Sequence, residues 1–158
     1  MRRSEREITD KAEIMSIIEK CDVCRLGLSD GNIPYVVPMN YGYEYAGDKL
    51  TLYFHSAKEG RKLDIIARNP MACFEMDCSH RLVESEQACS YTMEYDSIIG
   101  SGKIHICSEK TEKITALSLL MQKYAMGREF NFPDQAIERV TAFRLDVTEF
   151  AVKQLRRG

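Results

Sequence analysis

The chain has no tryptophan, no G-x-G-x-x-G or G-x-x-x-x-G-K-[ST] motif, and no apolar run near the roughly 18 residues that cross a bilayer. Without those glycine motifs, dinucleotide-fold and P-loop readings drop out. The short apolar runs exclude a membrane-spanning helix. Excess charge of one sign is missing too. Lys and Arg number 22 against 24 Asp and Glu, a net charge of −2, whereas nucleic-acid binders usually carry a strongly basic patch or stripe. The opening Met1-Arg2-Arg3-Ser4-Glu5-Arg6-Glu7 is charged with no hydrophobic segment behind it, unlike a secretory signal. The cytoplasm is therefore the expected location. Nor does any repeat, linker or low-complexity tract divide the 158 residues, a length that suits one domain over 1–158 with a core of its own.

A metal site is also not expected. In the cytoplasm Cys21, Cys24, Cys73, Cys78, Cys89 and Cys107 stay reduced. Cys21-x-x-Cys24 has the spacing of half a zinc site or of a redox pair. Cys73 and Cys78 supply only a loose second pair, with no suitably spaced histidine. Cys24 lies in a strand pattern, where a free cysteine behaves as a small buried hydrophobe.

What is present is a chain of short strands with few helices. Asp10 and Glu13 form a capping signal ahead of the stripe Ile14, Ile17, Ile18 and Cys21, which predicts a helix over about 10–21. Strands follow over 22–29 and 33–45, joined by the hairpin signal Asp30-Gly31-Asn32. Pro34 and Pro38 in the second require an edge, a bulge or backbone exposed to a ligand. Further strands are predicted over 50–54, 71–77, 88–95, 97–107 and 140–147, with 79–87 as a polar loop. Gly100 and Gly102 mark a bend or a close backbone approach. A helix capped by Ser108 reaches about Tyr124, Gly127 stops it, and a short helix covers 134–138. Hairpin-linked strands with peripheral helices favour an antiparallel barrel over a doubly wound sheet. Residues 1–8 read as a charged lead-in, and His80 and His105 as surface positions.

The chemistry concentrates in Tyr53-Phe54-His55-Ser56-Ala57-Lys58-Glu59-Gly60-Arg61-Lys62. An apolar strand gives way to small and polar residues, Gly60 turns the chain, and a short helical pattern begins. Arg61 and Lys62 then stand in its first turn, the wrong end for positive charge, because free N–H groups already make a helix N-terminus partly positive. A strand, a small-residue loop and a cationic helix start together suit an anion, most often a phosphate. The alternative is that both cations are solvated and pair with Glu59 and Asp64.

Four blocks occur in order: Cys24-Arg-Leu-Gly-Leu28, Pro34-Tyr-Val-Val-Pro-Met-Asn-Tyr-Gly-Tyr43, Leu52-Tyr-Phe-His-Ser-Ala-Lys-Glu-Gly-Arg-Lys-Leu-Asp64 and Tyr95-Asp-Ser-Ile-Ile-Gly-Ser-Gly102. Together they resemble the pyridoxamine 5'-phosphate oxidase-like split-barrel flavoproteins, and within them the nitroimidazole-resistance branch. The resemblance implies a mainly β, α+β fold: a six-stranded antiparallel split β-barrel (Greek key) with peripheral helices. It further implies a homodimer with two FMN sites at the subunit interface. On the matching positions, Val37, Pro38, Met39, Asn40 and Tyr41 lie along the isoalloxazine ring through backbone groups. His55, Ser56 and Ala57 border the ring and ribityl chain, and Arg61 with Lys62 holds the phosphate. His55 falls on the substrate side of the flavin, the alternative being a strand-end histidine that only bonds the loop. Cys89, Ser90, Ser97 and Gly100 are assigned to the part of the second subunit that closes the site, with barrel packing as the alternative.

The missing tryptophan now matters. Pyridoxamine phosphate oxidases carry a basic, tryptophan-containing C-terminal segment, whereas this chain ends Ala151-Val-Lys-Gln-Leu-Arg-Arg-Gly158, so vitamin B6 oxidation is not implied. Haem-degrading relatives carry an added domain or a longer tail, which is not seen here. The resemblance thus implies an FMN-dependent oxidoreductase taking electrons from a reduced nicotinamide or another donor and passing them to a small organic acceptor such as a nitroaromatic. The alternatives are a non-catalytic binder of flavin, deazaflavin or haem, and a redox protein acting through Cys21 and Cys24.

Overall fold

A computed structural model describes residues 4–157. Within it, Asp10 caps helix α1 (Lys11–Lys20) by accepting the Glu13 N–H at 2.9 Å, and the Ile14, Ile17 and Ile18 stripe is buried. Ahead of α1, part of the charged lead-in forms a two-residue strand, β1 (Glu7–Ile8). The chain continues through β2 (Cys24–Asp30), β3 (Ile33–Met39), β4 (Gly42–Ala46), β5 (Lys49–Ala57), α2 (Arg61–Arg68), β6 (Met71–Val83) and β7 (Thr92–Cys107). It closes with α3 (Lys110–Tyr124), α4 (Asp134–Glu138) and β8 (Val140–Leu155).

All the strands belong to one antiparallel sheet, ordered β3-β2-β6-β7-β8-β5-β4, with β1 added on β8. That makes eight strands where six were expected. The mainly antiparallel β class with peripheral helices holds among the described residues; β1 adds a strand in the lead-in, and three local effects redraw the others. First, the expected strand over 33–45 divides at Asn40–Tyr41. Tyr41 turns inward, its hydroxyl within hydrogen-bonding distance of the Ile18 and Cys21 carbonyls at 2.6 and 2.8 Å, and its N–H donates to the Tyr124 hydroxyl at 3.2 Å. A buried phenol satisfied this way outweighs strand continuation. Second, the strands expected over 88–95 and 97–107 are one. The register shift against β8 falls between Ser101 and Gly102, so the strand bends without ending. A Cβ on Gly102 would collide with the Asp146 carbonyl, which is the close backbone approach that glycine implied. Third, the polar loop expected over 79–87 is largely strand: β6 continues through a bulge between Cys78 and Arg81, with Ser79 at φ 58°. The helix expected to start at Ser108 is capped instead by Glu109, which exchanges reciprocal bonds with Glu112.

The core fills the inside of the curved sheet. Phe54 and Phe143, both fully buried, stack with ring centroids 5.3 Å apart, and Leu26, Phe74, Met76 and Ile98 pack around them. Cys21 and Cys24 are buried in the same cluster. Helix α3 lies across β4 and β5, close enough that a Cβ on Gly42 would stand 2.5 Å from the Leu119 backbone. Since β3 and β4 are the ends of the sheet, the barrel is open between them, bridged only by Asn40 and Tyr41. Among the described residues no helix is long and apolar enough to cross a membrane.

Candidate functional site

The site begins where β5 hands over to α2. Regular strand runs on through Ala57, three residues past the expected end at Phe54. His55 and Ser56 therefore point to opposite faces: His55 is exposed, while Ser56 is buried and donates to the Ala57 carbonyl at 2.8 Å. Gly60 takes φ 143° and ψ 158°, a backbone that side chains rarely adopt, and it is the N-cap of α2 without any side-chain cap. Open space surrounds the position a Cβ would take. The Gly60 carbonyl accepts from Leu63 and Asp64 at 2.9 and 3.2 Å. The Arg61 and Lys62 N–H groups are left as the orphan donors of a helix start.

The charges around this start are arranged by tertiary contacts. Arg61 pairs with Asp30 at 3.3 Å, in place of the local Glu59 or Asp64, and its guanidinium lies 4.8 Å from the Tyr35 ring centroid. Asp30 is shared with Arg68 at 2.6 Å. Lys62, partly buried, has no ion pair among the described residues. Two orphan N–H groups, one ammonium without an ion pair among the described residues and a guanidinium using one of its donors thus belong to the first turn of a helix that no side chain caps. That donor set fits a phosphate. Asp30, Tyr35 and Arg68 were not anticipated. The Asp30-Gly31 turn put Asp30 at a hairpin tip, but no local pattern says which helix that tip meets.

The second part of the site is the free edge of β3. Antiparallel pairing alternates positions that exchange both backbone bonds with the neighbour and positions that direct both outward. Pro34 and Pro38 have no N–H and stand two registers apart, opposite Ser29 and Arg25, so both belong with Val36 to the outward set. The free edge then carries the Pro34, Val36 and Pro38 carbonyls and, within the strand, only the Val36 N–H. Val37 and Met39 commit their backbone to β2 and pack their side chains against the core. Asn40 is exposed in the link to β4, and Tyr41, buried with its N–H and hydroxyl engaged, retains only its carbonyl. This corner is fastened from α3. Lys123 Nζ donates to the Ile18 and Glu19 carbonyls at 3.0 and 2.9 Å and lies 4.7 Å from the Tyr41 ring centroid. Burial lowers its pKa.

The remaining expected residues are not gathered here. Cys89 and Ser90 sit in an exposed 3₁₀ turn between β6 and β7. From Met71, beside the end of α2, β6 runs 13 residues before that turn, a path of up to about 40 Å at strand rise. Within this chain they are remote from Arg61 and Lys62. Ser97 faces Asp77 and Lys153 across the sheet. Gly100 is buried where a Cβ would stand 2.6 Å from the Phe74 ring, which gives it a packing reason. Burial pushes the Cys21 and Cys24 thiols well above their ordinary value, which disfavours the thiolate that redox exchange needs. His80 and His105 are partly exposed, their side chains at 48% and 41%, in keeping with surface positions.

Away from the site, two buried carboxylates receive the C-terminal segment. Asp96 accepts from Arg156 at 2.6 and 2.7 Å and from Gln154 at 2.8 Å, and Glu94 accepts the Arg157 N–H at 2.6 Å and Arg81 at 2.8 Å. Desolvation pushes the Asp96 carboxyl up, but bonds from Ser79, Gln154 and Arg156 outweigh it and hold the group below the usual range.

A model of the family described as pyridoxamine 5'-phosphate oxidase matches residues 10–154. A protein from Bacteroides thetaiotaomicron, described as a candidate 5-nitroimidazole antibiotic resistance protein, has a solved structure of 38% identity. The match covers 94% of this chain and 86% of that one with a TM-score of 0.81. A flavocytochrome from Azotobacter vinelandii superposes with a TM-score of 0.81 at 18% identity, covering 100% and 72% of the two chains. An FAD and heme binding protein from Mycobacterium smegmatis does so with 0.82 at 15% identity, covering 96% and 74%. The last two share the fold. No curated protein matches the chain.

Proposed function

The chain belongs to the pyridoxamine 5'-phosphate oxidase family, and from that membership we propose an FMN-dependent oxidoreductase that reduces a small organic acceptor, with a nitroaromatic such as a nitroimidazole as model substrate. One observation carries the cofactor half: the uncapped start of α2, where Gly60 leaves open space beside two orphan N–H groups, Arg61 and Lys62. These residues hold the phosphate, and the carbonyl-lined edge of β3, centred on Pro38, receives the ring. His55, Ser56 and Ala57 border the ring and ribityl chain. Bound FMN supplies the electron transfer; the protein positions it, bonds its edge and leaves one face accessible. The acceptor half rests on the resistance-protein relative at 38% identity.

A homodimer completes the site in this reading. Val36, Met71 and Ile99 are exposed apolar side chains on the outer face of β3, β6 and β7, around Cys73. Such a patch marks an interaction surface. A second copy there accounts for Cys89, Ser90 and Ser97, which reach no cofactor site within their own protomer. The cytoplasm is the proposed location.

The purified protein is expected to be yellow and to release FMN, not FAD, on denaturation. Colourless protein that gains no flavin spectrum on adding FMN sinks the proposal. Rapid reoxidation of the reduced protein by a nitroimidazole, repeated with a reduced nicotinamide as donor until three two-electron turnovers give the amine and water, supports the enzyme; flavin bound with no acceptor reduction supports a non-catalytic carrier. His55, exposed and free of hydrogen bonds among the described residues, is assigned the proton donor or substrate-orienting role. His55→Ala is expected to bind flavin normally and turn over about 10²-fold more slowly, the lower range for a lost general acid. Loss of flavin without a separate kinetic effect places His55 in the cofactor shell instead.

A further inference from the structure

Arg61 is held from two sides by one hairpin. Asp30 lies at the end of β2, beside the Gly31 turn, and Tyr35 lies on β3. Asp30 Oδ2 accepts from one terminal nitrogen of Arg61 at 3.3 Å, while the guanidinium carbon lies 4.8 Å from the Tyr35 ring centroid. An arginine has five N–H donors in a rigid fork, so this contact leaves most of the fork free. A carboxylate beside an anion site is ordinarily unfavourable. Here its other oxygen takes Arg68 at 2.6 Å, and the Arg61–Asp30–Arg68 triad keeps a net charge of +1.

We propose that Asp30 is a positioning residue of the phosphate site: it fixes the Arg61 fork against Tyr35 before the phosphate arrives, and Arg68 offsets its charge. This rests on the phosphate reading given above. The physical basis is preorganisation. Arg61 has a long side chain, 55% exposed, and unfixed it would surrender rotamer freedom on capturing an anion. Held by the hairpin, it has surrendered that freedom already. The triad also explains why a cation persists at a helix end that disfavours it.

The test compares FMN and riboflavin binding by flavin-fluorescence titration in the wild type, Asp30→Asn, Arg61→Ala and the double variant. Asp30→Asn leaves the central Gly31-Asn32 pair of the turn in place between Asp30 and its register partner Ile33, and an unchanged thermal midpoint checks that the fold is kept. It is expected to weaken FMN about three- to tenfold, the span of one newly mobile side chain. Riboflavin, which has no phosphate, should bind unchanged. In the Arg61→Ala background, Asp30→Asn should add nothing. FMN binding that is unchanged or tighter in Asp30→Asn, while Arg61→Ala weakens it, overturns the proposal. So does equal weakening of riboflavin, or a full effect of Asp30→Asn without Arg61. An Arg61→Ala variant that binds FMN like the wild type instead removes the phosphate reading for Arg61, a result distinct from failure at Asp30.

Discussion

Arg156→Ala is expected to lower the free energy of unfolding by about 2–4 kcal/mol at pH 7, slightly under the usual cost of breaking a buried ion pair. The reduction reflects an arginine side chain that is 39% exposed and the Gln154 bond that survives at 2.8 Å. Asp96 itself is fully buried, so it cannot turn to water when its partner is removed. The effect has a pH signature. In the wild type the Asp96 carboxyl is held below its ordinary range. Its contribution is therefore fully present above the unfolded value of about 3.9 and fades as the pH falls through the folded value. Without Arg156 the desolvation is less opposed and the folded value moves up. The variant then carries a penalty at neutral pH that protonation relieves. The gap between the two proteins should close as the pH falls from 7 towards 3, read from urea midpoints along that series. A gap independent of pH would assign Arg156 a packing role.

Lys62→Ala is the second large effect. It removes a charge-assisted contact from the proposed phosphate site, which is expected to weaken FMN by about 1.5–3 kcal/mol, roughly ten- to a hundredfold in Kd. Lys62 forms no ion pair among the described residues, so its loss leaves no protein carboxylate stranded, and the thermal midpoint of flavin-free protein should scarcely move. Riboflavin again serves as the control without a phosphate. Unchanged FMN affinity would refute the anchoring role. At high salt the difference between wild type and variant should shrink, because a partly exposed ion contact is still screened in part.

The parts of this fold legible in the sequence were those written in local physics. Asp10 and Glu13 announced α1, Gly31 announced the hairpin, and Gly60 followed by Arg61 and Lys62 announced the start of α2. What escaped was set by partners far along the chain. Nothing near residue 40 says that Tyr41 will reach the carbonyls of Ile18 and Cys21, yet that contact divides one expected strand into two. Nothing near residue 96 says that Arg156 will arrive to neutralise it. The proposed anion site was half legible for the same reason: Arg61 and Lys62 were visible, while Asp30 and Arg68 are 31 and 38 residues apart from the partner each meets. Gly100 shows the converse: closing the site and barrel packing were both open to it from the sequence, and the Phe74 ring, 2.6 Å from where a Cβ would stand, supplies a reason for packing.

The prolines of β3 have one more consequence, for the behaviour of many copies in solution. Of the two end strands, β4 lies beneath α3 while β3 keeps Ile33 and Val36 exposed. An exposed, apolar sheet margin can template strand addition and fibril growth. With donors missing at Pro34 and Pro38, an arriving strand finds carbonyls in succession and too few N–H groups to form a regular ladder. The same spacing that leaves acceptors for a small polar ring denies a foothold to another polypeptide, so the gap in the barrel can stay open without becoming a seed for aggregation.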